Sequence, residues 1–355
     1  MKKNKMKWSA AMAVIMILCV GSFLIQPLVV YGTADEETPI SNEVENMNDL
    51  KMDLIEDVET AESIEEEDNI TSSQEDLEVT VSKEEAKIDM EQAESEDSDF
   101  SVSIDDSLDY VENEDGTLVY DSQDGGYTVD AQPLDGGARF VFNIENESSV
   151  KKFKIDFEVE DGGYLTSDEN NDFYIADANG EVSAVIGSPW AVDKDGTFID
   201  TYYEQVGNSI YQVVEYTGDN YPLTADPLFC SDTIDNTNTK YNDKSMSGKF
   251  KGIYTVYART CAKTYLSSAW LQMPFTTMIS GILTSSIAKD MWSEVSADSS
   301  YINSSILKKN GARVKDQLIC HAVNPGTIWK SAWHLEPRRP DVSLTSTYKQ
   351  LCNPK

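Results

Sequence analysis

Five Gly-containing turns lie between residues 124 and 196, and they leave this stretch few options other than antiparallel hairpins. They are Asp124-Gly125-Gly126, Asp135-Gly136-Gly137, Asp161-Gly162-Gly163, Asn179-Gly180 and Asp195-Gly196. Asp-Gly and Asn-Gly favour tight turns because both central residues tolerate positive φ. Between the turns, Phe140, Phe142 and Ile144 alternate with other residues, as do Phe153, Ile155, Phe157 and Val159. A repeat of two places such side chains on one face of a half-buried strand. Residues 109–227 are therefore expected to form an all-β, sandwich-like domain or a twisted meander. Tyr221-Pro222 and Pro227 exclude a regular ladder there and put the domain's end near Pro227.

Charge divides the chain differently. Residues 35–108 hold 28 acidic and 3 basic residues, and residues 109–227 hold 26 against 5. Residues 228–355 reverse the sign, with 9 acidic and 16 basic residues and a net of +7. Such asymmetry speaks to partners, not to fold. Segment 35–108 is poor in aromatic residues and carries runs such as Glu65-Glu66-Glu67-Asp68. On composition it is expected to be a disordered acidic linker, with transient helix at Leu50–Leu54 and Val79–Met90.

The first residues have the layout of an export signal. Lys2, Lys3, Lys5 and Lys7 precede an uncharged run from Trp8 to Ala34, and Gly32 and Ala34 are the small residues before a cut ahead of Asp35. Residues 1–34 are expected to be a signal peptide and the protein to be secreted; an uncleaved membrane anchor is the alternative. Cys19 follows Leu18, where a lipobox requires a small residue.

The other four cysteines, Cys230, Cys261, Cys320 and Cys352, all lie in the basic part. An even number in an exported chain points to disulfides. Three pairings are possible, and the sequential one is expected, each bridge stapling one stretch of a small α+β domain over 228–355. Lys251–Thr260 reads as a strand and Met278–Ser293 as a buried helix. The uncharged run Thr264–Ala288 is too polar for a confident span.

Candidate chemistry is sparse. Asp168, Asn170 and Asp172 have calcium-loop spacing, but Phe173 and Asn179 stand where Gly and Glu are needed. No metal site or cofactor is implied. His321 and His334 are the only histidines, and no Gly-x-Ser-x-Gly elbow exists. His321, with Glu294 or Glu336, is the only acid–base candidate. On a strand, neighbouring Cys320 and His321 would face opposite ways. Trp329 to Pro340 concentrates Trp329, Trp333, His334, Glu336, Arg338 and Arg339. The arginine forks suit carboxylate or phosphate and the rings suit sugar stacking. The same rings could equally fill a small core.

Two resemblances add to this. Trp292-Ser293-Glu294-Val295, Asp316-Gln317-Leu318-Ile319-Cys320-His321, Lys330-x-x-Trp333-His334-Leu335-Glu336-Pro337-x-Arg339-Pro340 and Cys352-Asn353-Pro354 occur in order. The last 65 or so residues thereby resemble a domain-of-unknown-function family at the C-termini of secreted, mostly Gram-positive, bacterial proteins. The resemblance implies a Cys320–Cys352 bridge. It also implies that His334, standing where the pattern carries Asn, is not an essential catalytic group. Ser188-Pro189-Trp190-Ala191-Val192-Asp193 through Tyr221-Pro222-x-x-Ala225-Asp226-Pro227 resembles a β-rich module of secreted bacterial proteins, which implies a presenting role. Neither resemblance implies an activity. The reading is a non-enzymatic envelope or surface-interaction protein that binds an anionic cell-envelope polymer or glycan through Trp329, Trp333, Arg338 and Arg339. A toxin-like hydrolase using His321 and Glu294 is the alternative. An intramolecular contact of the acidic linker with the basic domain is a further expectation, and nucleic acid is disfavoured.

Overall fold

The structure, a computed structural model, describes residues 58–355 except 75–76, 93–98, 105–107, 124, 169–170, 245–249, 273–284, 324, 329, 351 and 353. The expected signal peptide, residues 35–57 of the expected linker, and Trp329 lie outside the described residues.

Two antiparallel sheets form a β body. The first has eight strands in the spatial order Ile64–Glu65, Asn69–Ser73, Leu77–Ser82, Lys87–Gln92, Phe100–Ile104, Lys152–Val159, Ser209–Glu215 and Asp200–Val206. The second has ten. Its main path runs Tyr164–Ser167, Phe173–Ala176, Val182–Ile186, Leu228–Cys230, Gly137–Ile144, Tyr127–Leu134, Thr117–Asp121 and Asp109–Glu114, and the pair Trp190–Asp193 and Leu223–Asp226 joins at Gly137–Ile144. One core is shared by both sheets. Phe142 of the second stacks on Phe153 of the first at 4.1 Å between ring centroids, and Phe229 meets Phe157 edge-on at 5.7 Å. The alternating residues of the sequence build this core, since Phe140, Phe142, Ile144, Phe153, Ile155 and Phe157 are all buried.

Five strands of the first sheet lie between Ile64 and Ile104, which corrects the expectation of a disordered linker there. Leu77, Val79 and Val81 are buried, as are Ile88 and Met90 on the next strand and Phe100, Val102 and Ile104 on the one after. The charges occupy the alternate positions. Glu78 stands exposed between Leu77 and Val79. A one-sided antiparallel strand tolerates that arrangement, so charge averaged over a segment does not decide whether it is ordered. Val79–Met90, expected as transient helix, spans two of these strands for the same reason.

The body runs past Pro227. Leu228–Cys230 pairs with Gly137–Arg139 on one side and with Val185 and Ile186 on the other. Trp190 pairs in register with Asp226, and its indole donates to Asp226 Oδ2 at 3.1 Å, so the two ends of the module-like stretch meet.

The rest is a helical unit with a small sheet ordered Lys240–Asn242, Ile253–Val256, Trp333–Leu335. Its helices are α1 (Thr260–Gln272), α2 (Ser286–Ala297), α3 (Ser299–Asn303), α4 (Ser305–Lys309), α5 (Gly311–Val323), α6 (Pro325–Ile328) and α7 (Leu344–Lys349). Caps define several of them: Ser285 accepts from Ala288 N–H, Asp298 from Tyr301 N–H and Ser304 from Leu307 N–H. On α2, Ile287, Met291 and Val295 recur every four residues and are buried. The expected helix over 278–293 is thus seen from Ser286 onward. Cys320 and His321 lie on α5, not on a strand, and both are buried. The bridges are Cys230–Cys261 and Cys320–Cys352, the sequential pairing. The first ties the last strand of the β body to α1. No helix among the described residues is long and apolar enough to cross a membrane.

Candidate functional site

The Trp333 to Arg339 stretch turns mostly inward. Trp333 is fully buried, its indole donates to the Thr327 carbonyl at 2.8 Å, and its ring stacks on His321 at 6.1 Å between centroids. It fills the unit's core, which corrects its assignment to a binding surface. Glu336 is buried and grips Arg339, with Oε2 accepting from Nε at 2.7 Å and Oε1 from Nη2 at 2.9 Å. Arg339 also donates to the Pro354 carbonyl at 3.2 Å and lies over the Phe250 ring at 4.6 Å. Arg339 and Glu336 therefore lock the chain end to the small sheet.

His321 has neither ring nitrogen in a hydrogen bond of ordinary geometry, although the His334 backbone lies near enough to favour its protonated form slightly. Burial first, then Lys330, lowers it to about 4, so it is neutral at physiological pH. Among the described residues no hydrogen bond joins it to Glu294 or Glu336, and the structure does not assemble an acid–base pair from them.

Arg338 faces outward. It donates to Tyr241 Oη at 3.3 Å and to the Lys251 carbonyl, and it pairs with Asp243 at 2.6 Å. Its guanidinium is thereby held at the wall of a groove of about 490 Å³ lined by Ser305, Ile306, Lys309, Asn310, Arg313 and Arg338. Arg313 makes a loose 3.8 Å pair with exposed Asp341. Three cations with hydroxyl and amide groups between them suit a multiply charged anion. A larger groove, about 790 Å³, opens on the eight-stranded sheet. Its wall carries Glu78, Asp89, Glu91, Asp99, Glu158 and Glu160 against Lys87, which repels anions. Among the described residues no group of three or more His, Cys, Asp or Glu is arranged to hold a metal.

Glu294 belongs to a different place, the seam between the two units. Its Oε1 accepts from Thr233 N–H at 2.9 Å and lies 2.7 Å from Thr233 Oγ1, and its Oε2 accepts from Ile234 N–H at 2.7 Å. Asp290, one turn earlier on α2, lies 3.0 Å from the same hydroxyl. Asp232 pairs with Arg259 at 2.5 Å, and Arg259 reaches Asp135 at 2.9 Å. Burial is the main cause that raises all three carboxyls, Asp290 to about 7 and Glu294 to about 8; neighbouring carboxyl charge adds to it, and Arg259 opposes it at Asp232. The seam is tight. Gly136 has φ +88°, and a Cβ there would stand 2.1 Å from the Asp232 carbonyl oxygen; one on Gly137 would stand 2.1 Å from that of Phe229. Only glycine fits either position.

The sequence offered little warning of this seam. Asp290 and Glu294 are four apart and so share a face of any helix, which was a readable signal. Asp135, Asp232 and Arg259 come together only through the fold. Lys309 and Arg313 share the same i,i+4 spacing on the basic side.

Residues 262–355 match a family model, Protein of unknown function (DUF2599). The matched segment holds α5, the Cys320–Cys352 bridge and the strand Trp333–Leu335, but not Lys240–Asn242 or Ile253–Val256, which complete its sheet. No curated protein and no solved structure matches the chain.

Proposed function

We propose that this is an exported bacterial protein whose DUF2599 segment docks an anionic envelope polymer or glycan in the groove lined by Lys309, Arg313 and Arg338. The observation that carries the reading is that groove, with one guanidinium held in place by Asp243, Tyr241 and the Lys251 carbonyl. The sign of charge supports it, since residues 228–355 carry a net of +7 on a chain whose total is −35. Two bridges of low sequence separation suit an oxidising compartment. The β body serves as the carrier that presents the helical unit. Arg338 keeps the role read from the sequence, and Lys309 and Arg313 replace Trp333 and Arg339.

The test is co-sedimentation of the oxidised full chain with purified bacterial envelopes at low and at high salt. Binding is expected at low salt and is expected to weaken as salt rises, because exposed cations are screened. Lys309→Glu with Arg313→Glu should lower it at least tenfold. Retention of full binding by that variant, or no binding at low salt, overturns the proposal.

A further inference from the structure

We propose that Asp232, Asp290 and Glu294 form a proton-dependent latch that fastens α2 to the point where the chain leaves the β body. One hydroxyl sets the constraint. Thr233 Oγ1 lies 2.7 Å from Glu294 Oε1 and 3.0 Å from Asp290 Oδ2. A threonine hydroxyl has one proton to donate, and an ionised carboxylate only accepts. Both contacts are hydrogen bonds only when one of the two carboxyls brings a proton of its own and donates it to Oγ1. With both ionised, one oxygen faces a lone pair and the two charges repel across it.

Among the described residues, the surroundings give no second way to hold two charges. Arg259 is the cation at the cluster, and it is engaged by Asp232 on one side and Asp135 on the other. Lys263 faces Asp135, and burial lowers it. On α2 itself, Lys289 faces Asp172 of the β body, which burial and then Asp168 raise to about 6. Tyr265 lies beside Asp172 and stays protonated. Ionising Asp172 as pH rises strengthens its attraction to Lys289, which works against the loosening of α2 and not for it.

Position gives the latch its consequence. Glu294 accepts the backbone N–H groups of Thr233 and Ile234, three and four residues after Cys230. Ser231 and Asp232 N–H donate in turn to the Gly136 carbonyl of the β body. The cluster is thus a polar link between α2 and the Asp135-Gly136 turn of the β body. Both carboxyls are raised, so the sign is fixed: the fastened state is complete at low pH and is lost as pH rises through about 7 to 8.

Hydrogen exchange on the oxidised full chain tests this, with rates corrected for intrinsic exchange. Protection of residues 286–297 is expected to fall at least tenfold between pH 6 and pH 9, while residues 138–144 stay unchanged. Asp290→Asn removes one of the competing charges and should reduce the response to under twofold. Should that variant fail to fold, Glu294→Gln provides the same reading. A wild-type response under twofold overturns the latch. So does an equal loss of protection in both segments, or a full response retained by the folded variant.

Discussion

Arg259→Met isolates the ion pair at the seam. The Arg259 side chain is 7% exposed and that of Asp232 11%, whereas that of Asp135 is 45% exposed. Solvent screens the Asp135 pair, so its loss costs little. The weight falls on Asp232, which is left buried without a cation. Removing one partner of a buried pair costs about 3–5 kcal/mol. Burial raises Asp232 to about 8 even with Arg259 in place, so at pH 8 part of it is ionised and the loss approaches that range. At pH 5 Asp232 is already protonated beside Arg259, and the variant loses only the hydrogen bond from the guanidinium. The destabilisation should therefore shrink to roughly 2 kcal/mol as pH falls from 8 to 5. The assay is urea unfolding of the oxidised chain at both pH values, with Asp232→Asn combined with Arg259→Met as the rescue. A loss under about 1 kcal/mol at pH 8, or one that does not change with pH, would remove the buried pair as the cause.

Three further outcomes are expected. Replacing Cys320 and Cys352 by Ser opens a bridge of sequence separation 32 and should cost about 4 kcal/mol by the loop-entropy relation, read as a lower urea midpoint. Trp333→Ala empties the centre of the helical unit and should cost about 3–5 kcal/mol, with loss of near-ultraviolet circular dichroism from the ordered core. His321 is lowered by burial, so it contributes stability above pH 6.5 that is lost as pH falls toward about 4. His321→Leu should then flatten acid unfolding over that range, and an unchanged acid midpoint would show that His321 is not its cause.

What could be read from the sequence followed from local rules. The turns and alternations of 109–227 specify strands because a two-residue repeat needs no knowledge of partners. Leu77, Val79 and Val81 obey the same rule, but averaging over their acidic surroundings concealed it. The burial of Trp333 was one of two even readings, and only the small sheet decides between them, by pairing Val256 with Trp333 across 77 residues. Arg338 and Arg339 are neighbours with opposite fates: one is held at a groove, the other is locked by Glu336 three positions before it. Which neighbour faces outward depends on Pro354 and Phe250, and no spacing rule reaches that far.

The small sheet also governs how this segment could travel between proteins. A recombination joint at residue 262 would carry Trp333–Leu335 away while leaving Ile253–Val256, and with it buried Tyr254 and Val256, in the donor. The transplanted piece would arrive with an unpaired strand edge and an uncovered Trp333, both invitations to aggregate. It would also lack the Cys230–Cys261 tether. A transferable cassette has to begin before Cys230, or its new host has to supply a matching strand and cysteine of its own.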